Sequence, residues 1–222
     1  MSSDQPTPPD ATAADLPEIA LRILDAAVEL FARKGYAATS VREIVQEAQV
    51  TNPMLYYYFD SKEGLFTFLT ELLHREFRRE IGEVVAAGRS LEETLVSVTD
   101  VHLRGLRESP RVLELVFNLL FGPEGSSPPH RLLENQEKIF GELCGVFSRA
   151  IDSGRFDSPF DAPWLVHQLV GIVTFHTMRG VKELQRCVSA DERAAWIREN
   201  AGTDTAKQLV RFFLDGAGRV KE

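Results

Sequence analysis

From Leu16 onward apolar residues return at spacings of three and four rather than two, the period of a helix with one buried face. Ile19, Ile23, Ala27 and Leu30 form such a stripe, and Lys34-Gly35 closes this first helix, glycine suiting a left-handed stop. Ser40-Val41-Arg42-Glu43 reads as a capping box that opens a short second helix with Val41, Ile44, Val45 and Ala48 facing inward. Thr51 is placed to cap a third helix with Pro53 in its first turn, where a missing N–H costs nothing, and Ser61 to cap a long fourth helix ending near residue 87. The same period predicts helices near 90–107, 110–121, 129–153, 161–186 and 203–215, with another turn at 190–200. Turn formers at 122–129 and 153–159 separate them. Nothing alternates long enough for a sheet, so the expected class is all-α, with helix 110–121, apolar nearly all round, as a central buried element.

Three short helices, the last two joined by a tight turn, are the helix-turn-helix arrangement that presents its final helix to the major groove of DNA. With Leu55 as the core anchor of the third helix, the helical rotation puts Pro53 and Tyr57 on the opposite side, flanked by Asn52, Met54 and Tyr56. All four tyrosines of the chain, at 36, 56, 57 and 58, fall in this region. Three in a row cannot all be core, so at least one phenol faces water, where its hydroxyl suits a phosphate oxygen.

Composition changes this picture in one respect. A net charge of −8 runs against nucleic-acid binding, because lysine and arginine supply most non-specific affinity for phosphate. The stretch 16–66 is itself not basic: Arg22, Arg33, Lys34, Arg42 and Lys62 stand against seven carboxylates. Non-specific binding is therefore expected to be weak. Residues 1–15, rich in proline and acidic groups and devoid of lysine and arginine, are expected to be a disordered tail, not a minor-groove arm. Cys144 and Cys187 are too few and too far apart for a disulfide framework or a zinc motif. No secretory leader is read at the start, and the most apolar stretch, near 164–178, is broken by His167, Gln168 and His176, so a cytoplasmic protein without a membrane span is expected.

Residues Ile23 to Leu65 resemble the TetR family of regulators: Ala26, Ala27, Leu30 and Phe31 in the first helix, then Gly35-Tyr36, Thr39-Ser40, Leu55-Tyr56-Tyr57-Tyr58-Phe59 and Ser61-Lys62. The resemblance implies a helix-turn-helix DNA-binding domain at 16–62 and a helical effector-binding and dimerisation domain at 63–222. It implies that Ser40, Val41 and Arg42 lie at the edge of the groove, that Thr51, Asn52, Pro53, Met54, Tyr56 and Tyr57 approach the DNA, and that Lys62 binds a backbone phosphate. It also implies a homodimer built on helices 161–186 and 203–215; Gly171, Thr174, Thr177 and Gly180 permit close helix approach, and Phe212 and Phe213 offer apolar anchors. Two positions depart from the family pattern. Gln49 stands where the turn commonly has glycine, and Asn52 where lysine is frequent.

Beyond residue 90 no motif is recognised. His102, Phe117, Asn118, Phe121, Phe140, Phe147, Phe175 and His176 are candidate effector-pocket residues, and their apolar character points to an apolar or aromatic ligand. His167 and His176 lie nine residues apart on one helix and face opposite sides, so they cannot share a metal, and no hydrolase, metalloprotease or phosphate-loop signature is present. No cofactor, metal or enzymatic activity is expected. The expected partners are double-stranded operator DNA, a small-molecule effector and a second copy of the chain. The competing reading is a helical ligand-binding or protein-interaction module that binds no specific operator.

Overall fold

The computed structural model describes residues 12–123, 125–217 and 219–220. Ten helices are present among them: α1 (Glu18–Lys34), α2 (Val41–Glu47), α3 (Asn52–Phe59), α4 (Lys62–Ala86), α5 (Leu91–Glu108), α6 (Pro110–Phe121), α7 (Leu132–Asp152), α8 (Ala162–Arg186), α9 (Ala190–Asn200) and α10 (Thr203–Ala217). The all-α class therefore holds. The two-residue strands β1 (Phe156–Asp157) and β2 (Arg219–Val220) add one antiparallel pairing, too short for a sequence period to reveal. The expected tail lies mostly outside the described residues. Its end is ordered, however: Ala13–Asp15 form a 3₁₀ turn in which the Asp15 carboxylate accepts from the Thr12 N–H and hydroxyl.

The chain divides into two compact units. The first runs to Phe77 and takes in Glu114–Glu134; the second comprises Arg78–Leu113 and Asn135 onward. This partition differs from the expected boundary near residue 62, because Leu65 and Phe66 of α4 are fully buried in the first core and Phe66 meets the Phe31 ring edge-on at 5.7 Å.

In the first unit α1 buries Ile23, Ala27 and Leu30 of the predicted stripe, with Ile19 at its half-exposed edge, and buries Phe31 besides. Gly35 ends it with a positive φ of 81°, which a side chain rarely adopts. The Ser40–Glu43 capping box forms as expected, each side chain satisfying the other residue's backbone N–H. Ser61 likewise accepts from the Gly64 N–H at 2.9 Å. Thr51 is different: it stands at the N-cap of α3 but its side chain makes no capping bond. Pro53 has removed one of the two N–H groups a cap can reach, and Met54 donates the other to the Thr51 carbonyl at 3.0 Å.

α6 is not the buried element expected of it. Only Leu115 is buried, and Phe121 is 67% exposed. Within the first unit one of its polar groups carries a contact, since the Asn118 amide donates to the Ala32 carbonyl at the end of α1, 2.9 Å away.

In the second unit α5 packs against both α8 and α10. Gly180 is closely packed against two neighbouring helices: a Cβ there would lie 2.8 Å from the side chains of Leu106 of α5 and Trp196 of α9. Phe147 of α7 is fully buried between Phe156 and Phe213, with ring centroids 6.1 and 6.0 Å away, so the short β pairing caps this cluster.

Candidate nucleic-acid interface

α3 is anchored from below and open above. Leu55 and Phe59, four residues apart, are 0% and 5% exposed and fix the helix to its unit, whereas Tyr56 and Tyr57 are 50% and 54% exposed. Thr51, Asn52, Pro53 and Met54 are exposed as well. The outward arc predicted from Leu55 is thus the arc that faces solvent, and it offers two phenols, one carboxamide and one hydroxyl among apolar groups. Tyr58 is half-buried and packs edge-on against Tyr57 with centroids 5.0 Å apart.

The turn between α2 and α3 is strained at the position where family members commonly place glycine. Gln49 has φ 54°, a left-handed conformation that costs a residue with a Cβ about 1–2 kcal/mol. Sequence reasoning missed what sits across from it: the Arg22 guanidinium of α1 donates to both the Ala48 and the Gln49 carbonyls. Arg22 lies on the half-buried edge of an otherwise apolar helix, and nothing local ties it to residues 26 and 27 positions ahead.

Ser40 and Arg42 are exposed and Val41 is half-buried. The Ser40 hydroxyl is already committed to Glu43, donating to its carboxylate at 2.7 Å. Glu43 also pairs with Lys34 at the end of α1. The Lys34 ammonium, with the Ser40 N–H and hydroxyl, holds the Glu43 carboxyl well below its usual range, at about 2.

Lys62 is the expected phosphate ligand, and the structure gives it other partners. Its ammonium donates to the Tyr36 carbonyl at 3.0 Å and the Thr39 carbonyl at 2.9 Å, and lies 4.0 Å above the Tyr36 ring. Burial there lowers its pKa. Lys62 therefore staples the start of α4 to the loop between α1 and α2, with one N–H remaining for an outside acceptor.

The candidate pocket residues have dissimilar surroundings. Phe117, Asn118 and Phe121 belong to the first unit, the other five to the second. Phe147 is core, Phe175 is 61% exposed, and His176 pairs with the Asn200 carbonyl at 2.7 Å. Phe140 meets the His167 ring at 4.5 Å. His102 pairs through Nδ1 with the Val98 carbonyl, and burial depresses its pKa. Among the described residues no cluster of histidine, cysteine or carboxylate groups could hold a metal, and no helix is long and apolar enough to cross a membrane.

Comparison with known proteins agrees with this geometry. A family model described as bacterial regulatory proteins of the tetR family matches residues 23–67. An uncharacterized HTH-type transcriptional regulator of Mycobacterium tuberculosis is 31% identical over 69% of this chain and 74% of its own length. The HTH-type transcriptional repressor KstR2 of Rhodococcus jostii is 33% identical over 63% of this chain and 68% of its own. Among solved structures, the ketosteroid transcriptional regulator KstR2 of Mycobacterium tuberculosis superposes with TM-score 0.68 at 17% identity, covering 96% of this chain and 100% of that one. The transcriptional regulator FadR of Bacillus subtilis, in complex with stearoyl-CoA, superposes with TM-score 0.62 at 20% identity, covering 88% and 98%. With its turn, its outward tyrosines and relatives that are regulators rather than enzymes, the chain belongs to the TetR family of transcriptional regulators.

Proposed function

We propose that the protein is a cytoplasmic repressor that grips a palindromic operator as a homodimer and is released by an apolar or aromatic effector. The observation that carries the reading is the pairing on α3 of a fully buried Leu55 with exposed Asn52, Tyr56 and Tyr57, whose side-chain polar groups make no hydrogen bond among the described residues. Thr51, Asn52, Pro53, Met54, Tyr56 and Tyr57 approach the groove, and Ser40, Val41 and Arg42 lie at its border. Lys62 reaches a phosphate with its remaining N–H while holding the α1–α2 loop.

A second copy covers the exposed face of α8 and α10. Trp164, Phe175 and Met178 recur at helical spacing along α8, 52%, 61% and 38% exposed, and Phe212 of α10 is 74% exposed. Gly171, midway along the stripe, has open space where a Cβ would stand, leaving room for a partner helix. Two-fold pairing sets the recognition helices about 34–36 Å apart, one DNA turn. Repression is supported by the Rhodococcus relative, and an apolar effector by the stearoyl-CoA complex of the Bacillus regulator, with His102 and Phe140 of the second unit as the first positions to probe. A ligand–operator coupling of about 1–3 kcal/mol is the usual scale for such release.

The test is to recover genomic fragments bound by the purified full-length protein at physiological salt, then to add a long-chain acyl-CoA or a steroid. The reading expects a few fragments sharing an inverted repeat and release by one class of compound. Retention of any DNA at low salt alone would favour the interaction-module reading.

A further inference from the structure

The groove-facing arc of α3 carries no charge: from Asn52 to Phe59 there is no lysine, arginine, aspartate or glutamate. Cations around it are largely committed already. Arg22 holds the Ala48 and Gln49 carbonyls, Lys34 holds Glu43, and Lys62 holds two carbonyls, which leaves Arg33 and Arg42 exposed among the five cations of residues 16–66. Arg42 stands on α2, so base reading by α3 itself falls on that helix's own uncharged groups.

Those groups fit one class of base pair. Guanine presents two acceptors in the major groove and is read by the paired donors of arginine or lysine; cytosine presents a donor and is read by a carboxylate. Adenine presents an acceptor beside a donor, the complement of a carboxamide, and thymine presents a methyl group that apolar atoms cover. Asn52 is exposed, and among the described residues its amide makes no hydrogen bond to the protein; Pro53 and Met54 beside it are exposed apolar groups, Met54 at 37%. We infer that α3 selects A·T pairs, the Asn52 amide accepting from adenine N6–H and donating to N7 while Pro53 and Met54 cover thymine methyls in the same half-site.

This inference rests on operator binding as proposed above, and the experiment separates the two. The full-length protein is used to select duplexes from a randomised pool, and binding is then measured for wild type, Asn52→Ala and Asn52→Gln. A·T steps are expected at the centre of each half-site. Replacing the key adenine by 7-deazaadenine, which keeps base pairing but deletes the N7 acceptor, is expected to weaken wild type about 5- to 150-fold and to leave Asn52→Ala unaffected. Asn52→Gln, which keeps the amide, is expected to retain part of the adenine preference, and deoxyuridine in place of thymidine to weaken wild type more than Met54→Ala. Equal melting of the variants shows that the fold is intact. A selected half-site with G·C steps there, or an Asn52→Ala protein with the wild-type base preference, overturns the inference while leaving operator binding standing. Failure to select any motif overturns operator binding itself.

Discussion

Two of the surfaces that expose large aromatic side chains differ in their polar atoms. On α3 the exposed rings are Tyr56 and Tyr57, bordered by Thr51 and Asn52, so hydroxyls and an amide interrupt the apolar area. On α8 and α10 the large apolar side chains that are exposed are Trp164, Phe175, Met178 and Phe212, whose one strong hydrogen-bonding group is the indole N–H, with Gln168 and Lys182 exposed beside them on α8. Exposure alone says that something covers a surface; the heteroatoms say what. A hydrated, charged duplex needs donors at fixed positions, whereas another copy of the same helices needs matching hydrocarbon. The first face accordingly reads as the DNA-facing one and the second as the self-associating one.

The contrast is broken most severely by placing charge on the hydrocarbon face. Phe175→Glu with Phe212→Glu is expected to weaken self-association on the order of 100-fold or more, because each carboxylate would be buried without a partner. Sedimentation measures this, and unchanged association would remove α8 and α10 from the interface. Lys62 sharpens the other side. If it is chiefly a staple, Lys62→Met lowers stability by about 1–3 kcal/mol in thermal unfolding without DNA, the worth of hydrogen bonds from a charged donor; an unchanged melting point with reduced DNA affinity would make it chiefly a phosphate ligand. Gln49→Gly is expected to raise stability by up to about 1 kcal/mol, since relief of the left-handed strain outweighs the added chain entropy of glycine. Loss of stability in chemical denaturation would mean that the Gln49 side chain matters more than its backbone.

The smallest effect is the pH dependence of Glu43. Its carboxyl titrates at about 2 in the fold against 4.5 ordinarily, so its contribution is complete above pH 4.5 and fades as pH falls toward 2. Wild type should thus exceed Glu43→Gln in melting temperature at neutral pH, with the gap closing across that acid window. A gap independent of pH would contradict the Lys34 and Ser40 pairing.

What the sequence made legible was local. The Ser40–Glu43 box, the Gly35 stop and the Leu55 anchor each depend on residues within one or two turns, and spacing alone predicts them. Gln49 was readable because its neighbours align with a family that keeps glycine there. The groups that act across the fold were not: Arg22 reaches residues 26 and 27 positions away, and Lys62 reaches back 23 and 26 positions. A cation in a helix carries no sign of a distant carbonyl partner, so Lys62 was assigned to phosphate alone. α6 misled for a different reason. Apolar composition all round predicts a buried helix, yet exposure depends on what lies opposite, and Phe121 has little over it. The same dependence kept the pocket out of reach, since Phe147 and Phe175 are alike in sequence but one is core and the other surface.

The central claim is that the Tyr57 edge of α3 docks on DNA, and the most direct measurement is competition between a recovered operator fragment and its scrambled counterpart at physiological salt. Wild type should prefer the operator, Tyr57→Phe should lose about 1.5–3 kcal/mol of that affinity if the hydroxyl donates to phosphate, and Tyr57→Ala should lose more, with both variants melting like wild type. Equal operator affinity for all three proteins would show that this edge lies away from the duplex.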